Sequence, residues 1–461
     1  MSNVARVRIP APWMYRIRCG YLDLCAQPVL AGTAAVFLCV AGRILSWTRV
    51  QWSIRLLSWA HLFTLKVWGR SRAIDWLRGR ITPSLAKACT SDRVLSSGVF
   101  DGERPVIEAL QRAGLVLKKP CVDGERVLEK GVYILKYTHQ IESFRRSIDM
   151  EAFLDHYTLV LEPSWTGYSN LEFLAYTRYA RHEIVMLSPF VGDREFLHEL
   201  NLNLVPIELG PGDWVDPRVF RPLDDEAKRY DAVMIARWDD TKRHDLLLSA
   251  LRNIADSRFR VALVAMNLKQ DRHREGILQT IAKSGLGSQI EILEDLTPEE
   301  VNCVFNQSKV NVLLSSQEGG NRALFEGFFA GIPGLAFRNH IGVRTEHFRP
   351  ETGRLIKRSS LARELLYFRE YWRDFNPRPW ALGHISPEIS TQRLNAFLRE
   401  RSVMRGERWT ADLLMKCNRP SLCYYSPETL PVDFPTMPEL LDEFRIAPSA
   451  VRTRRQAPVR V

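Results

Sequence analysis

From about Ser91 to Phe375 the chain alternates short apolar runs with amphipathic stretches, which is the rhythm of an α/β protein. "DRVLSSGVF" (92–100) reads as a strand closed by a Ser-Gly turn, and "RPVIEALQRAG" (104–114) as a helix stopped by Gly114. "GVYILKYTH", "YTLVLEPSW", "HEIVMLSP" and "NLVPIEL" are further strands, each apolar over four to seven residues. Helix-length segments such as "ESFRRSIDMEAFLDH" (142–156) and "NLEFLAYTRYA" (170–180) separate them. This unit ends at "GPGDWVDPRVFRPL", where Gly and Pro crowd together as in a linker.

A second alternation follows. "YDAVMIAR", "FRVALVAM", "QIEIL" and "KVNVLLSS" are its strands, and "KRHDLLLSALRNI", "REGILQTIAKSG" and "TPEEVNCVFNQS" its helices. Thr297 and Glu300 stand at the spacing of a capping box. The last strand leads into "EGGNRALFEGFFAGIPG" (318–334), where Asn321 is the expected N-cap of a helix running to about Ala330. "GLAF" and "GRLI" complete a parallel-sheet pattern. Past Phe375 the rhythm weakens into two helical stretches, a Pro-rich segment and the basic tail "RTRRQAPVRV". The expected fold class is α/β, with two Rossmann-like, doubly wound domains facing a cleft and a helical segment before them. The expected boundaries are 1–90, 91–222, 223–375 and 376–461.

The N-terminal segment has a different pattern. "VLAGTAAVFLCVAG" carries no charge over fourteen residues. At ~1.5 Å per residue it reaches about 21 Å, short of a hydrocarbon core near ~30 Å. Extension back to Leu24 makes it long enough if Gln27 is tolerated. A marginal span, a re-entrant hairpin, a buried helix and a cleaved signal peptide all fit this stretch. The following "RILSWTRVQWSIRLLSWAHLFTLKVWGRSR" mixes Arg with Trp and Leu in the manner of an interfacial helix.

Charge sharpens this contrast. The formal charge is +11, and residues 1–90 hold 13 Lys and Arg against two Asp, so the rest of the chain is neutral. The same 90 residues hold six of the twelve tryptophans. Basic residues mixed with Trp point to an anionic membrane surface before nucleic acid, the alternative being a basic helical face solvated or packed on the other domains. Arg flanks the apolar stretch on both sides, so orientation stays open. The expected location is the cytoplasmic face of a membrane, whether peripheral, monotopic or single-span. Eight scattered cysteines without a C-x-x-C pair read as reduced thiols, with no disulfide framework or zinc site.

Three features of the second unit point at the expected cleft. "ARWDDTK" offers Arg237 and Lys242 in a strand-to-helix loop. "SSQEGGN" offers Glu318, the two flexible glycines Gly319 and Gly320, and Asn321. Glu326 lies two turns further on. Cations neutralise a diphosphate, a helix start attracts it, glycine lets the backbone approach, and carboxylates accept from sugar hydroxyls. Taken singly, Arg237 and Lys242 are a solvated loop pair and Glu326 an exposed helix residue. Together they describe a site, with both glutamates expected at the cleft surface.

At these residues the chain resembles glycosyltransferase family 4, the retaining group with the GT-B architecture. "GDWVDPRVFRPL" looks like the segment joining the two domains, and "ARWDDTKRHDLLLSAL" like the Gly-Arg…Lys-Gly loop. "SSQEGGNRALFEGFFAGIPG" looks like the Glu-x7-Glu motif, and "ETGRLI" like the later Thr-Gly-x-Leu turn. The resemblance implies that Arg237 and Lys242 bind the donor diphosphate, that Glu318 contacts the transferred sugar and that Glu326 contacts the donor ribose. It implies a nucleotide-sugar donor as substrate, no cofactor, and a glycan or lipid-linked acceptor. His139, just past "GVYILKYTH", matches a histidine the family often has on the acceptor side. The chain departs from the pattern at Ala236, where glycine is usual, at Lys242-Arg243 for Lys-Gly, and at Gly-Gly-Asn-Arg after Glu318. No D-x-D occurs, which weighs against a metal-dependent, single-domain glycosyltransferase. The rival readings are a non-catalytic membrane scaffold of the same fold and a sugar-nucleotide epimerase of the same architecture.

Overall fold

The computed structural model describes residues 11–67, 69, 71–100, 113–224, 226–266, 273–419, 421–431 and 434–445. The chain forms two compact units. The first holds Ala31–Trp214 and Pro387–Val461, and the second Met1–Leu30 and Val215–Ser386.

The chain starts with helices α1 (Ala11–Cys25), α2 (Pro28–Leu45), α3 (Val50–Leu65), α4 (Arg72–Cys89) and the single turn α5 (Asp92–Leu95). The strand expected over 92–100 is therefore a helical turn. Ser91 is extended as its N-cap residue, Asp92 places a negative charge in the first turn, and the Ser96 and Ser97 hydroxyls donate to the carbonyls of Asp92 (2.6 Å) and Val94 (2.7 Å). Of the helix expected over 104–114, residues 101–112 lie outside the described residues, and Gly114 opens a strand instead.

The first unit's sheet contains β1 (Gly114–Lys118), β4 (Gly131–Lys136), β5 (Tyr157–Glu162), β6 (Ile184–Leu187) and β7 (Leu204–Ile207) in that order. β1 runs antiparallel and the others parallel. A hairpin of β2 (Cys121–Asp123) and β3 (Arg126–Glu129) stands apart from it. Every residue of β4 and of β6 is buried, as parallel strands covered on both faces require. The crossovers carry α6 (Thr138–Ser147), α7 (Met150–His156), α8 (Leu171–Leu174) and α9 (Val191–Leu200). The single helix expected over 142–156 is divided, because Ile148 is extended and Asp149 starts a new helix by accepting from the Ala152 amide.

Residues 31–90 are one flank of this unit and not a separate segment. Ile54, Leu57 and Ala60 of α3, with Ile81 and Leu85 of α4, share an apolar core with Tyr133, Leu135, Leu159 and Leu161 of the sheet. α2 turns the small residues Ala31, Ala35, Cys39 and Gly42 inward and leaves Val36, Phe37, Val40 and Ile44 exposed. A Cβ on Gly42 would stand 3.1 Å from Leu57 Cγ and 3.2 Å from the Ser53 carbonyl oxygen, so the lack of a side chain there lets α2 and α3 approach.

The second unit runs β8 (Ala232–Ile235), α10 (His244–Arg252), β9 (Val261–Ala265), α11 (Arg274–Ala282), β10 (Ile290–Glu294), α12 (Pro298–Asn306), β11 (Asn311–Leu313), α13 (Arg322–Phe329), β12 (Gly334–Phe337), β13 (Gly353–Ile356), α14 (Leu361–Tyr371) and α15 (Pro377–His384). All six strands are parallel, in the order β10-β9-β8-β11-β12-β13. That is the doubly wound order, in which chain direction across the sheet reverses between β8 and β11. The capping box at α12 forms as expected, Thr297 accepting from the Glu300 amide and Glu300 from the Thr297 amide. α1 packs on this unit, with Tyr15 and Cys19 in one core with Leu247 and Ile277.

The C-terminal residues divide differently from the expected 376–461 extension. α15 stays with the second unit, while α16 (Pro387–Met404), the hairpin β14 (Lys416–Asn418) and β15 (Leu422–Tyr424), and α17 (Met437–Glu443) belong to the first. Leu394 and Leu398 of α16 share a core with Val132, Ile134 and Val160, and Leu440 and Leu441 of α17 join the core on the sheet's other face. The basic tail 452–461 lies outside the described residues.

Candidate functional site

In a doubly wound sheet, ligands bind beyond the carboxyl ends of the strands at the switch point, because the loops from the two flanking strands part there. In the second unit those loops follow β8 and β11. They carry Arg237, Lys242, Glu318, Gly319, Gly320 and Asn321, and the second leads into the helix that bears Glu326.

After β8, Ala236 keeps the sheet's hydrogen bonding by donating to the Val264 carbonyl, and Arg237 stands exposed at the start of the loop. Trp238 turns inward instead. It is fully buried, donates to Glu294 Oε1 at 2.6 Å and stacks on His244. Asp239 caps a 3-10 turn over Asp240–Lys242 by accepting from the amide and hydroxyl of Thr241. The turn delivers Lys242 to Glu318. Lys242 Nζ donates to Glu318 Oε1 at 2.6 Å and to Oε2 at 2.7 Å, so the loops after β8 and β11 meet in one ion pair.

After β11, the Glu318 amide donates to the Ile341 carbonyl at 2.9 Å. Gly320 has φ +118°, a conformation that favours glycine. Asn321, at φ +34°, caps α13 by accepting from the Leu324 amide at 2.9 Å. One turn on, Arg322 Nε donates to Glu326 Oε1 at 2.5 Å. Gly319 and Gly320 are buried and Asn321 is half-buried.

The glutamates differ from expectation in one respect. Glu318 is 5% and Glu326 4% exposed, so neither is a surface carboxylate. Each is held inside by an adjacent cation, which is how a protein keeps a buried charge. Burial pushes the Glu318 carboxyl up, but the charge and hydrogen bonding of Lys242, with His340 and the Ser315 hydroxyl, hold it below the usual glutamate range. His139 belongs to the first unit, in the first turn of α6, with its ring stacked on Tyr137.

Ser315 and His340 were not singled out from the sequence. His340 Nδ1 accepts from the Val343 amide at 3.3 Å, which leaves Nε2 to donate to Ser315 Oγ at 3.4 Å. Both residues follow strands of the switch-point sheet, β11 and β12, and that position was the available signal.

Burial lowers the His340 and His244 pKa values to about 4 and that of His61 to about 3. Between those values and about 6.5 the unfolded chain binds more protons than the folded one, so stability rises with pH across that interval. Glu318, with its lowered pKa, acts in the same sense, its contribution being lost as pH falls through its folded value. The urea midpoint is expected to climb from pH 4 to pH 6.5 and to climb less in His340→Asn. A midpoint flat across this range contradicts the assignment.

Residues 217–368, about a third of the chain, match the family described as Glycosyl transferases group 1. The match spans β8 through most of α14 and includes Arg237, Lys242, Glu318 and Glu326. No curated protein matches the chain. Among solved structures, Alr3699/HepE of Anabaena in complex with UDP and glucose is 14% identical, with 58% of this chain and 78% of that chain covered and a TM-score of 0.47. Sucrose-phosphate synthase of Thermosynechococcus elongatus is 16% identical, with 59% and 74% covered and a TM-score of 0.45. TarM of S. aureus is 16% identical, with 58% and 54% covered and a TM-score of 0.44. Two mainly parallel α/β units, the second carrying the family match, make the fold class GT-B.

Proposed function

We propose that the protein is a retaining glycosyltransferase of the hexosyltransferase type, moving a sugar from a nucleotide-sugar donor to a glycan or lipid-linked acceptor at the cytoplasmic face of a membrane. The observation that carries this reading is the Lys242–Glu318 pair, drawn from the two switch-point loops beside the start of α13 and lying within the matched stretch. Arg237 and Lys242 take the donor diphosphate, with Gly319, Gly320 and Asn321 lining its approach to the helix start. Glu318 faces the transferred sugar and Glu326 the ribose. His139 serves the acceptor side. A panel of nucleotide sugars screened by melting temperature, followed by transfer assays with the stabilising donor, tests the reading. If no nucleotide sugar raises the melting temperature or is consumed, the reading fails.

The positive charge needed by a leaving diphosphate is available from Arg237, Lys242 and the α13 terminus, so transfer is expected to proceed without metal. Activity should survive EDTA. Complete loss on chelation, restored by Mn²⁺, would overturn that expectation.

Membrane association is supported by the outward side of α2 and the turn after it. Phe37 is 71% and Trp47 83% exposed, and Trp52, Trp59 and Trp76 are exposed among the Arg and Lys of α3 and α4. α2 is long and apolar enough to cross a membrane, with mean hydropathy 1.9 over 18 residues. Its buried small-residue stripe favours a helix lying along the protein with its outer side in anionic lipid.

One observation favours a non-catalytic scaffold. Lys242 gives short contacts to both oxygens of Glu318, so the cation proposed for the diphosphate is already neutralised. Donor hydrolysis separates the two readings, since a scaffold leaves the nucleotide sugar intact.

A further inference from the structure

Arg243 directly follows Lys242 and stands at φ +63°, ψ +45°, a left-handed conformation that glycine adopts freely and arginine does not. Its side chain is buried between two carboxylates. Nη1 and Nη2 reach Asp23 at 2.7 and 3.3 Å, while Nε and Nη2 reach Asp245 at 3.0 and 2.9 Å. Asp23 also accepts from Arg358 at 2.7 Å. Asp23 lies on α1, and two more residues of that helix reach the same stretch. Arg18 Nε donates to Asp240 Oδ2 at 2.8 Å, and the Asp245 amide donates to the Tyr15 hydroxyl at 3.0 Å. α1 thus grips the chain two residues before Lys242, one residue after it and three residues after it. A glycine at 243 would relieve the backbone but remove the central grip.

We propose that α1 is a strap that positions the loop bearing Lys242, with Asp23 acting through Arg243, Tyr15 through Asp245 and Arg18 through Asp240. What Lys242 then binds rests on the glycosyltransferase reading above, but the strap itself does not. Tyr15, Arg18 and Asp23 are positioning residues. A bidentate, partly buried pair such as Asp23–Arg243 restrains both position and angle, more than a single surface contact does.

The test uses the full chain and the variants Asp23→Asn, Asp23→Glu and Arg243→Gly. Hydrogen exchange is followed over residues 238–246 and, as an internal reference, over α13. Affinity is measured in parallel for UDP, GDP and ADP. Asp23→Asn and Arg243→Gly are expected to speed exchange of the loop about tenfold, with exchange of α13 unchanged. The diphosphate that binds wild type best should bind both variants about tenfold more weakly, with partial rescue in Asp23→Glu. Unchanged exchange in both variants overturns the strap. A general loss of protection with a lowered melting temperature also overturns it, since that is the mark of a structural contact. Failure of all three diphosphates to bind wild type counts against the glycosyltransferase reading alone, and exchange still decides the strap.

Discussion

Glu318→Gln is expected to cut sugar transfer about a hundredfold and, unlike an exchange at a surface carboxylate, to destabilise the fold. The first effect follows from the proposed place of the carboxylate where charge develops on the sugar, a contribution of the order of 10²–10³ in rate when one such group is removed. The second follows from burial. Lys242 gives its short contacts to Glu318, and removing the charge of one partner leaves the other uncompensated, at a cost of about 3 kcal/mol. Adding Lys242→Met to Glu318→Gln removes that stranded cation, so the melting temperature should recover while transfer does not. Recovery of both would mean the pair supports the fold only. Glu326→Gln should act on donor affinity more than on turnover, because the amide still reaches a ribose hydroxyl but loses a charge-assisted bond worth roughly 1.5–3 kcal/mol. Transfer rates, donor affinity and melting curves for the three variants are the measurement.

Deleting residues 1–90 is expected to yield insoluble protein instead of a released, folded α/β core. Ile54, Leu57, Leu65, Ile81 and Leu85 are all buried in the first unit. At roughly 1.5–3 kcal/mol for each such side chain, their loss matches or exceeds a typical total stability of about 5–15 kcal/mol. Membrane attachment is therefore tested by point changes. Phe37→Ser with Trp47→Ser touches exposed positions, where each change should alter stability by no more than about 0.5 kcal/mol. The doubly changed protein should stay folded and fail to sediment with vesicles containing phosphatidylserine. If it still sediments after a high-salt wash, the attachment lies elsewhere. If the 1–90 deletion is soluble and melts cooperatively, the assignment of α3 and α4 to the core is wrong.

Most of the second unit was legible in the sequence because each of its strands is a short apolar run closed by a polar loop, and its caps use local spacing. Thr297 and Glu300 satisfy each other, and Asn321 accepts from the Leu324 amide, each within one turn. The loop bearing Arg237 and Lys242 and the helix bearing Glu326 lie where such runs end, so their positions along the chain were legible for the same reason, while the Lys242–Glu318 contact was not. The misreadings share a different cause. Val94 and Val99 look like strand residues until Ser96 and Ser97 return their hydroxyls to the backbone, and Asp149 breaks an otherwise continuous helical pattern. α3 and α4 expose Trp52, Trp59 and Trp76 and bury Ile54, Leu57, Ile81 and Leu85, so a composition that reads as a membrane-facing segment also supplies a core face. Pairings such as Asp23 with Arg243 leave no mark in spacing, since 220 residues separate the partners.

The seat of α1 lies on the second unit, whose Arg243 and Asp245 leave the ribosome long after α1 does. At a synthesis rate of about 5–20 residues per second, the helix waits roughly ten to forty seconds for its partners. Throughout that wait Tyr15 and Cys19, later enclosed, are open to any apolar phase in reach, as is the outward side of α2. If α2 meets lipid as proposed above, a leaflet reached early in translation would shelter that outward side before the later strands arrive.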